Sequence, residues 1–259
     1  MARNLARRVS KQAIAFLTFG SGTLGVIVLW WIAARLELIN PLLLPGPFAT
    51  IATLIASTFQ GNLLEDFGST LYRTLYAFAV ASAFGIPLGV IIGSSRKVYR
   101  AFEFLIDFFR STPATAMFPL FLVIFGIDDF SKIAVAAFAG FLVIFFNVAY
   151  GVMNARKMRI LAAKVMGAPL WRIFFDVMFF ETIPQMFIGL RTAVSLVLVI
   201  IIVAEMFVGS NDGMGHRIID AQIIYDMEQM YASIIATGIM GFGLNLLFLK
   251  AEQKFVHWK

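Results

Sequence analysis

The chain has 259 residues, of which 60% are hydrophobic and 14% are charged, whereas soluble domains average about 45–50% and about 25%. This composition excludes an ordinary soluble protein and indicates an integral membrane protein, so the formal charge of +6 reflects membrane topology rather than nucleic-acid binding. There are no cysteines, which excludes a disulfide framework, a thiolate nucleophile and a cysteine metal site.

Six apolar segments are long enough to cross a bilayer, which takes about 20 helical residues. The first follows a basic tail, residues 1–13, and is too long for a signal peptide, so we interpret it as a retained helix. The third is interrupted by Pro113 and Pro119. The sequence therefore predicts an all-α membrane protein with a single transmembrane domain over residues 1–259, whose spans are 14–35, 72–94, 110–127, 132–153, 185–209 and 231–250.

The distribution of charge predicts the orientation. Lys and Arg residues cluster in the tail, in 96–110, in 156–172 and after 250, and acidic residues dominate the intervening loops. Because short cytoplasmic loops are enriched in Lys and Arg, we predict that both termini are cytoplasmic. Residues 154–184 are then the largest cytoplasmic loop.

This loop reads as a helical hairpin on the membrane surface. Asn154 can cap a helix that ends near Met166, Gly167 suits a helix C-terminus, and Pro169 can begin a second helix that leads to Pro184. Two interpretations remain open: an interfacial hairpin that links two spans, or a docking surface for a cytoplasmic partner.

The second predicted span carries Gly85, Gly89 and Gly93, each four residues apart. Such a stripe lets two helices pack with their backbones close together. The helix that it contacts can lie in the same chain, or the stripe can be a sliding seam or a subunit contact.

Glu205 lies near the end of the fifth predicted span, where a charge is costly unless it faces the protein interior or water. It either pairs with a backbone amide or a cation, or it serves as a pathway or gate residue. Asp128 and Asp129 read as a solvated cap before the fourth span, and His216 and His257 as isolated solvated histidines. The sequence contains no GxxxxGK[ST], GxSxG or HExxH motif, so any ATPase must be another polypeptide.

The loop resembles the signature of the permease subunits of binding-protein-dependent ATP-binding-cassette importers. That signature reads Glu-Ala-Ala, three residues, Gly, nine residues, Ile-x-Leu-Pro; this chain has Ala162-Ala163, three residues, Gly167, nine residues and Val177-Met178-Phe179-Phe180. Leu161 stands in place of the family Glu. LPGP at 44–47, RSTPATAMFPLFLVIFGIDDFSK at 110–132 and the run after Ile183 are similar to the nitrate, sulfonate and taurine subgroup.

The resemblance implies a type I permease fold in the bacterial inner membrane, without enzymatic activity of its own. It implies a lipid bilayer around a permease homodimer, two cytoplasmic ATP-binding subunits that hold ATP and Mg, an external substrate-binding protein, no cofactor on this chain and no nucleic acid. Its substrate would be a small anion such as a sulfonate, taurine or nitrate, or alternatively a vitamin precursor. The residues implied for ATPase coupling are Leu161, Ala162, Ala163, Gly167, Ala168, Trp171 and Arg172, and those for the pathway or gate are Glu205, Pro119 and Pro184.

Two rival classes predict other features. A self-contained secondary transporter needs ionisable residues at mid-membrane and often has repeated halves, but the sequence offers one candidate, Glu205, and no evident repeat. An intramembrane enzyme needs clustered nucleophiles, bases or metal ligands, which are not apparent in the sequence.

Overall fold

The computed structural model describes residues 20–256, and the prediction of an all-α fold is confirmed. The tail 1–13, residues 14–19 of the first predicted span and His257 lie outside the described residues. The helices in chain order are α1 (Gly20–Arg35), α2 (Pro47–Gln60), α3 (Leu63–Gly93), α4 (Arg96–Ser111), α5 (Phe118–Phe125), α6 (Asp129–Met153), α7 (Lys157–Val165), α8 (Leu170–Phe207), α9 (Met214–Ile223) and α10 (Met227–Phe255).

Four described helices, α3, α6, α8 and α10, are long and apolar enough to cross a membrane. α4 and the segment Ala114–Phe125 pass the same test as a pair, which gives a fifth span if the pair is counted as one. α1 is apolar but shorter. We call the two ends of the bundle the α7 end, where α6 leads into α7, and the α9 end, where α8 leads into α9.

The segment predicted as the third span, interrupted by two prolines, contains a bend of 91°. α4 ends at Ser111, and Thr112 is extended with ψ 123 because the following Pro113 disfavours helical geometry. The chain then forms a short 3₁₀ turn, Ala114–Met117, before α5. The predicted interruption by Pro113 is therefore confirmed, and the bent pair begins at Arg96 rather than at residue 110.

The glycine stripe brings α3 into backbone contact with α6. A Cβ atom built on Gly85 would lie 3.0 Å from Ile144, and one on Gly89 would lie 2.8 Å from the Phe145 carbonyl oxygen. One on Gly93 would lie 2.7 Å from the Ala149 carbonyl oxygen. The stripe is thus occupied by a helix of the same chain, and α3, α6 and α8 form the centre of the bundle.

The structure does not separate residues 169–184 from the fifth span. α8 runs 38 residues without a break, with π-helical geometry over Ile173–Phe179 and Pro184 inside the helix. A proline removes one backbone hydrogen bond, which a helix packed among others tolerates. A helix therefore begins after Pro169 as predicted, but it continues into the fifth span instead of ending near Pro184.

Candidate functional site

The loop at the α7 end contains a short helix that a glycine terminates. α7 begins at Lys157 rather than after Asn154, and Gly167 has a φ of +75°. The Gly167 N–H donates to the Lys164 carbonyl and the Ala168 N–H donates to the Ala163 carbonyl, both at 3.0 Å. This is the Schellman arrangement, and the prediction of Gly167 as a helix C-terminal glycine is confirmed.

Large apolar side chains on this loop are exposed. Val165 is 81% exposed, Met166 80% and Trp171 60%, and the Arg172 guanidinium lies 5.2 Å from the Trp171 ring centroid. We call this the loop surface; it comprises Met158, Leu161, Val165, Met166, Leu170 and Trp171. Of the residues implied for coupling, Ala162, Gly167 and Arg172 are also exposed, whereas Ala168 is half-buried and Ala163 is buried. Ala163 therefore packs against its own chain.

An ion pair fixes the loop to α8. Glu181, on α8, accepts hydrogen bonds from Arg159 and lies 3.8 Å from the Arg156 guanidinium. Glu181 was not identified from the sequence. The available signal was a carboxylate directly after an apolar run, 22 residues beyond Arg159 in the basic cluster. The contact holds α7 against the span that follows it.

At the α9 end, Glu205 is buried, with 1% of its surface exposed, and its carboxylate is fully paired. It accepts hydrogen bonds from Arg73 Nη1 at 2.8 Å, from the Thr70 hydroxyl at 2.8 and 3.0 Å, and from the Gly215 N–H at 3.0 Å. The contact therefore joins α3, α8 and the start of α9. Of the two interpretations of Glu205, the structure agrees with pairing to a backbone amide and a cation.

Arg73 is the centre of this cluster. It is 3% exposed and contacts two further carboxylates, Asp129 at 2.9 Å and Asp212 at 2.5 Å. Lys132, itself buried, lies 3.2 Å from Asp129 and donates to the Ser210 hydroxyl at 3.1 Å. The Asp129 side chain is 47% exposed at the start of α6, in line with a partly solvated cap, but it also pairs with two buried cations, which was not predicted from the sequence. We call Arg73, Asp129, Lys132, Glu205 and Asp212 the ionic cluster.

The loop that supplies Asp212 depends on the charge of Arg73. Burial alone would raise the pKa of the Asp212 carboxyl, but hydrogen bonds from Ser69 and Arg73 and the charges of Arg73 and Lys132 outweigh burial, so the pKa lies below its usual range. Gly213 follows with a φ of +112°, and a Cβ atom there would lie 2.6 Å from the Glu205 carboxylate. Only glycine fits this position.

The three residues implied for the pathway do not form one site. Pro184 lies 21 residues before Glu205 on α8, which is about 30 Å at 1.5 Å per residue. Pro119 is exposed near the start of α5. A separate cavity of about 320 Å³ lies where the bend after α4 meets the middle of α6 and α8. Among the described residues no group of acids and histidines could hold a metal ion.

Comparison with known proteins identifies the family. Residues 85–251 match the model of the binding-protein-dependent transport system inner membrane component. The chain belongs to this family. The permease is 28% identical to the taurine transport system permease protein TauC of Escherichia coli over 93% of this chain and 90% of that protein. It is 29% identical to the nitrate import permease protein NrtB of Synechocystis over 88% of each chain.

A solved structure shows the same fold. The permease resembles a chain of the inward-facing MetNI methionine ABC transporter with a TM-score of 0.65 and 20% identity, over 74% of this chain and 95% of that one. The family match and the similarity to curated permeases show that it is the multi-pass inner-membrane subunit of an ABC importer rather than an enzyme. ATP hydrolysis belongs to a separate subunit, and the system includes a binding protein.

Proposed function

We propose that this permease works as a homodimer that imports a small oxyanion, and that two cytoplasmic ATPase subunits drive it by binding the loop surface. In this proposal the chain has six spans, with α1 as the first and the bent α4–α5 pair as the third, and both termini are cytoplasmic. The exposed apolar loop surface carries the proposal, because in this topology it lies on the cytoplasmic side, where exposed side chains of this size mark an interaction site.

The local geometry of the loop suits docking. Ala162 has a small side chain, and Gly167 has open space around it, so another backbone can approach closely. Glu181 fixes α7 to α8 from the other side, so a force on the loop surface would reach the span. Leu161 replaces the carboxylate of the family signature, and docking here would rely more on apolar contact.

The relatives support the substrate class. One is a permease for taurine, which carries a sulfonate, and another is a permease for nitrate. The two substrates share a compact, negatively charged group of oxygens. A small oxyanion is the class common to both, and a vitamin precursor is the alternative that an uptake assay must include.

Purification of the tagged permease from its host in mild detergent tests the docking. We expect an ATPase with a P-loop to co-purify with the wild type and to be lost with Gly167→Leu, because a branched side chain is strained at a φ of +75°. Gly167→Asn is the matched control, since Asn tolerates this conformation. ATPase binding and uptake that survive Gly167→Leu would contradict the coupling role, and a permease that moves solute alone on an ion gradient would indicate a secondary transporter.

A further inference from the structure

The cavity at the bend has an apolar wall with one cation on it. Its wall comes from Phe109 to Thr115 at the bend, from α6 over 139–146, and from Leu196 and Ile200 on α8. Arg110 is the charged residue among the lining side chains, and Thr112 and Thr115 add hydroxyl groups. The Arg110 side chain is exposed in the single chain, but its neighbours on this wall are mostly apolar, so a charge placed here needs an explanation.

Contacts place Arg110 near mid-span. α4 begins close to Gly93, which packs against Ala149 at the α7 end of α6. It ends where the Phe109 ring lies 5.6 Å from the Phe138 ring, and Phe138 is nine residues from the first residue of α6. At about 1.5 Å per residue, Phe138 is roughly 14 Å from one end of α6 and 22 Å from the other. The charge predicted at a cytoplasmic helix end therefore lies at mid-height of α6, where the Arg110 side chain is exposed at the open side of the cavity.

Arg110 has no ion-pair partner among residues 20–256, in contrast to Arg73. The nearest acid in sequence is Asp107, one turn earlier on α4, and it does not pair with Arg110 within 4.0 Å. The Thr112 hydroxyl donates to the Phe108 carbonyl at 2.9 Å, whereas Thr115 is exposed in the cavity. An unpaired guanidinium and a nearby hydroxyl are donors suited to an oxyanion.

We infer that Arg110 is a substrate-contacting residue, which binds the oxyanion group of the transported solute inside the membrane. The inference rests on the proposed function and makes it specific: a sulfonate or nitrate would bind transiently beside Arg110 and Thr115. A single arginine without a fixed carboxylate attracts an anion without holding it as a closed site would, which suits a residue along a pathway.

The local electric potential can be measured without substrate, ATPase or binding protein. Because the chain has no cysteine, Thr115→Cys introduces a single thiol on the cavity wall. The probes are the anionic 2-sulfonatoethyl and the cationic 2-(trimethylammonio)ethyl methanethiosulfonates, applied to purified permease in nanodiscs. We expect the ratio of the anionic to the cationic reaction rate to be higher for this thiol than for a free thiol. Arg110→Gln should lower that ratio by about tenfold, since removing one nearby charge weakens the attraction of the anion and the repulsion of the cation together.

Two variants isolate the charge of Arg110. Arg110→Lys should keep most of the preference for the anionic reagent, and Arg100→Gln, which removes an exposed cation from the same helix, should leave it unchanged. A ratio that does not change with Arg110→Gln would overturn the inference. So would a thiol that reacts with neither hydrophilic reagent but does react with a lipid-soluble maleimide, because Arg110 would then face lipid.

Uptake distinguishes this inference from the proposed function. In proteoliposomes with the ATPase and the binding protein, Arg110→Gln should lower uptake of labelled taurine or nitrate at least tenfold while the ATPase still co-purifies. If no ATPase co-purifies with the wild-type permease, the proposed function is contradicted instead. Full uptake by Arg110→Gln would contradict the inference alone.

Discussion

Removing Arg73 should destabilise the permease more than removing its partner Glu205. Arg73→Met leaves the Glu205 carboxylate buried with only the Thr70 hydroxyl and the Gly215 N–H as partners. Breaking a buried ion pair from one side costs about 3–5 kcal/mol, because the remaining charge is uncompensated. We expect a loss of unfolding free energy in that range.

Glu205→Gln leaves a different situation. Arg73 still contacts Asp129 and Asp212, whose side chains are 47% and 43% exposed, so water also surrounds these two carboxylates. The Gln amide keeps one acceptor oxygen, so one donor, either Arg73 Nη1 or the Gly215 N–H, loses its partner, which costs about 1.5–3 kcal/mol. The double variant removes both buried charges, so it should be more stable than Arg73→Met alone by at least about 1 kcal/mol.

Unfolding in mixed micelles of mild detergent and SDS measures these free energies, with Lys97→Met as the control for loss of an exposed cation. The sign of the coupling decides the result. A double variant that is as unstable as the sum of the two single variants would refute the reasoning, because it would mean that Glu205 does not depend on the charge of Arg73. Equal costs for the two single variants would refute the asymmetry.

Three further predictions use matched pairs of variants and the same unfolding assay. Gly89→Ala should cost about 1–3 kcal/mol by overpacking against α6, whereas Gly68→Ala on the same helix meets open space and should be neutral or stabilising; equal effects would contradict the packing. Gly213→Ala should destabilise by at least about 1 kcal/mol more than Gly209→Ala, because both positions have positive φ but only Gly213 faces the Glu205 carboxylate. Since the pKa of Asp212 is lowered by folding, its contribution is present above its unfolded value of about 3.9 and is lost as the pH falls through the folded value. Stability below about pH 4 should therefore depend less on pH in Asp212→Asn than in the wild type, with the exposed Asp107→Asn as control; an unchanged slope would contradict this.

Local features were predictable because the information lies in neighbouring residues. Apolar runs indicated α3, α6 and α10, a four-residue glycine period indicated close helix packing, and Gly167 before Pro169 indicated where α7 ends. Each of these depends on backbone conformation or on one helix face. The bend after Thr112 also has a local cause, but prolines alone do not give its angle of 91°.

The ionic cluster could not be predicted in the same way. Its members come from α3, α6, α8 and the loop after it, and the Arg73 to Glu205 contact spans 132 residues. Hydropathy does not take account of contacts between distant residues. Because residues 63–71 include Glu65 and Asp66, α3 was predicted to begin at residue 72, although it begins at Leu63. Arg73 lies among polar residues at the start of the predicted span 72–94, and the rule that intramembrane charges pair indicates that Glu205 needs a cation without saying which one.

The arrangement along α8 explains why the two ends of the permease should respond differently to a partner. At the α9 end, Glu205 is connected to α3 and to the start of α9 by buried hydrogen bonds. At the α7 end, the same helix follows an exposed loop and contains the π-helical segment Ile173–Phe179. Helix interruptions of this type bend more easily than a regular helix. A force applied at the loop surface would therefore be absorbed first near the π-helical segment and would reach the cavity wall at Leu196 before it disturbed the ionic cluster.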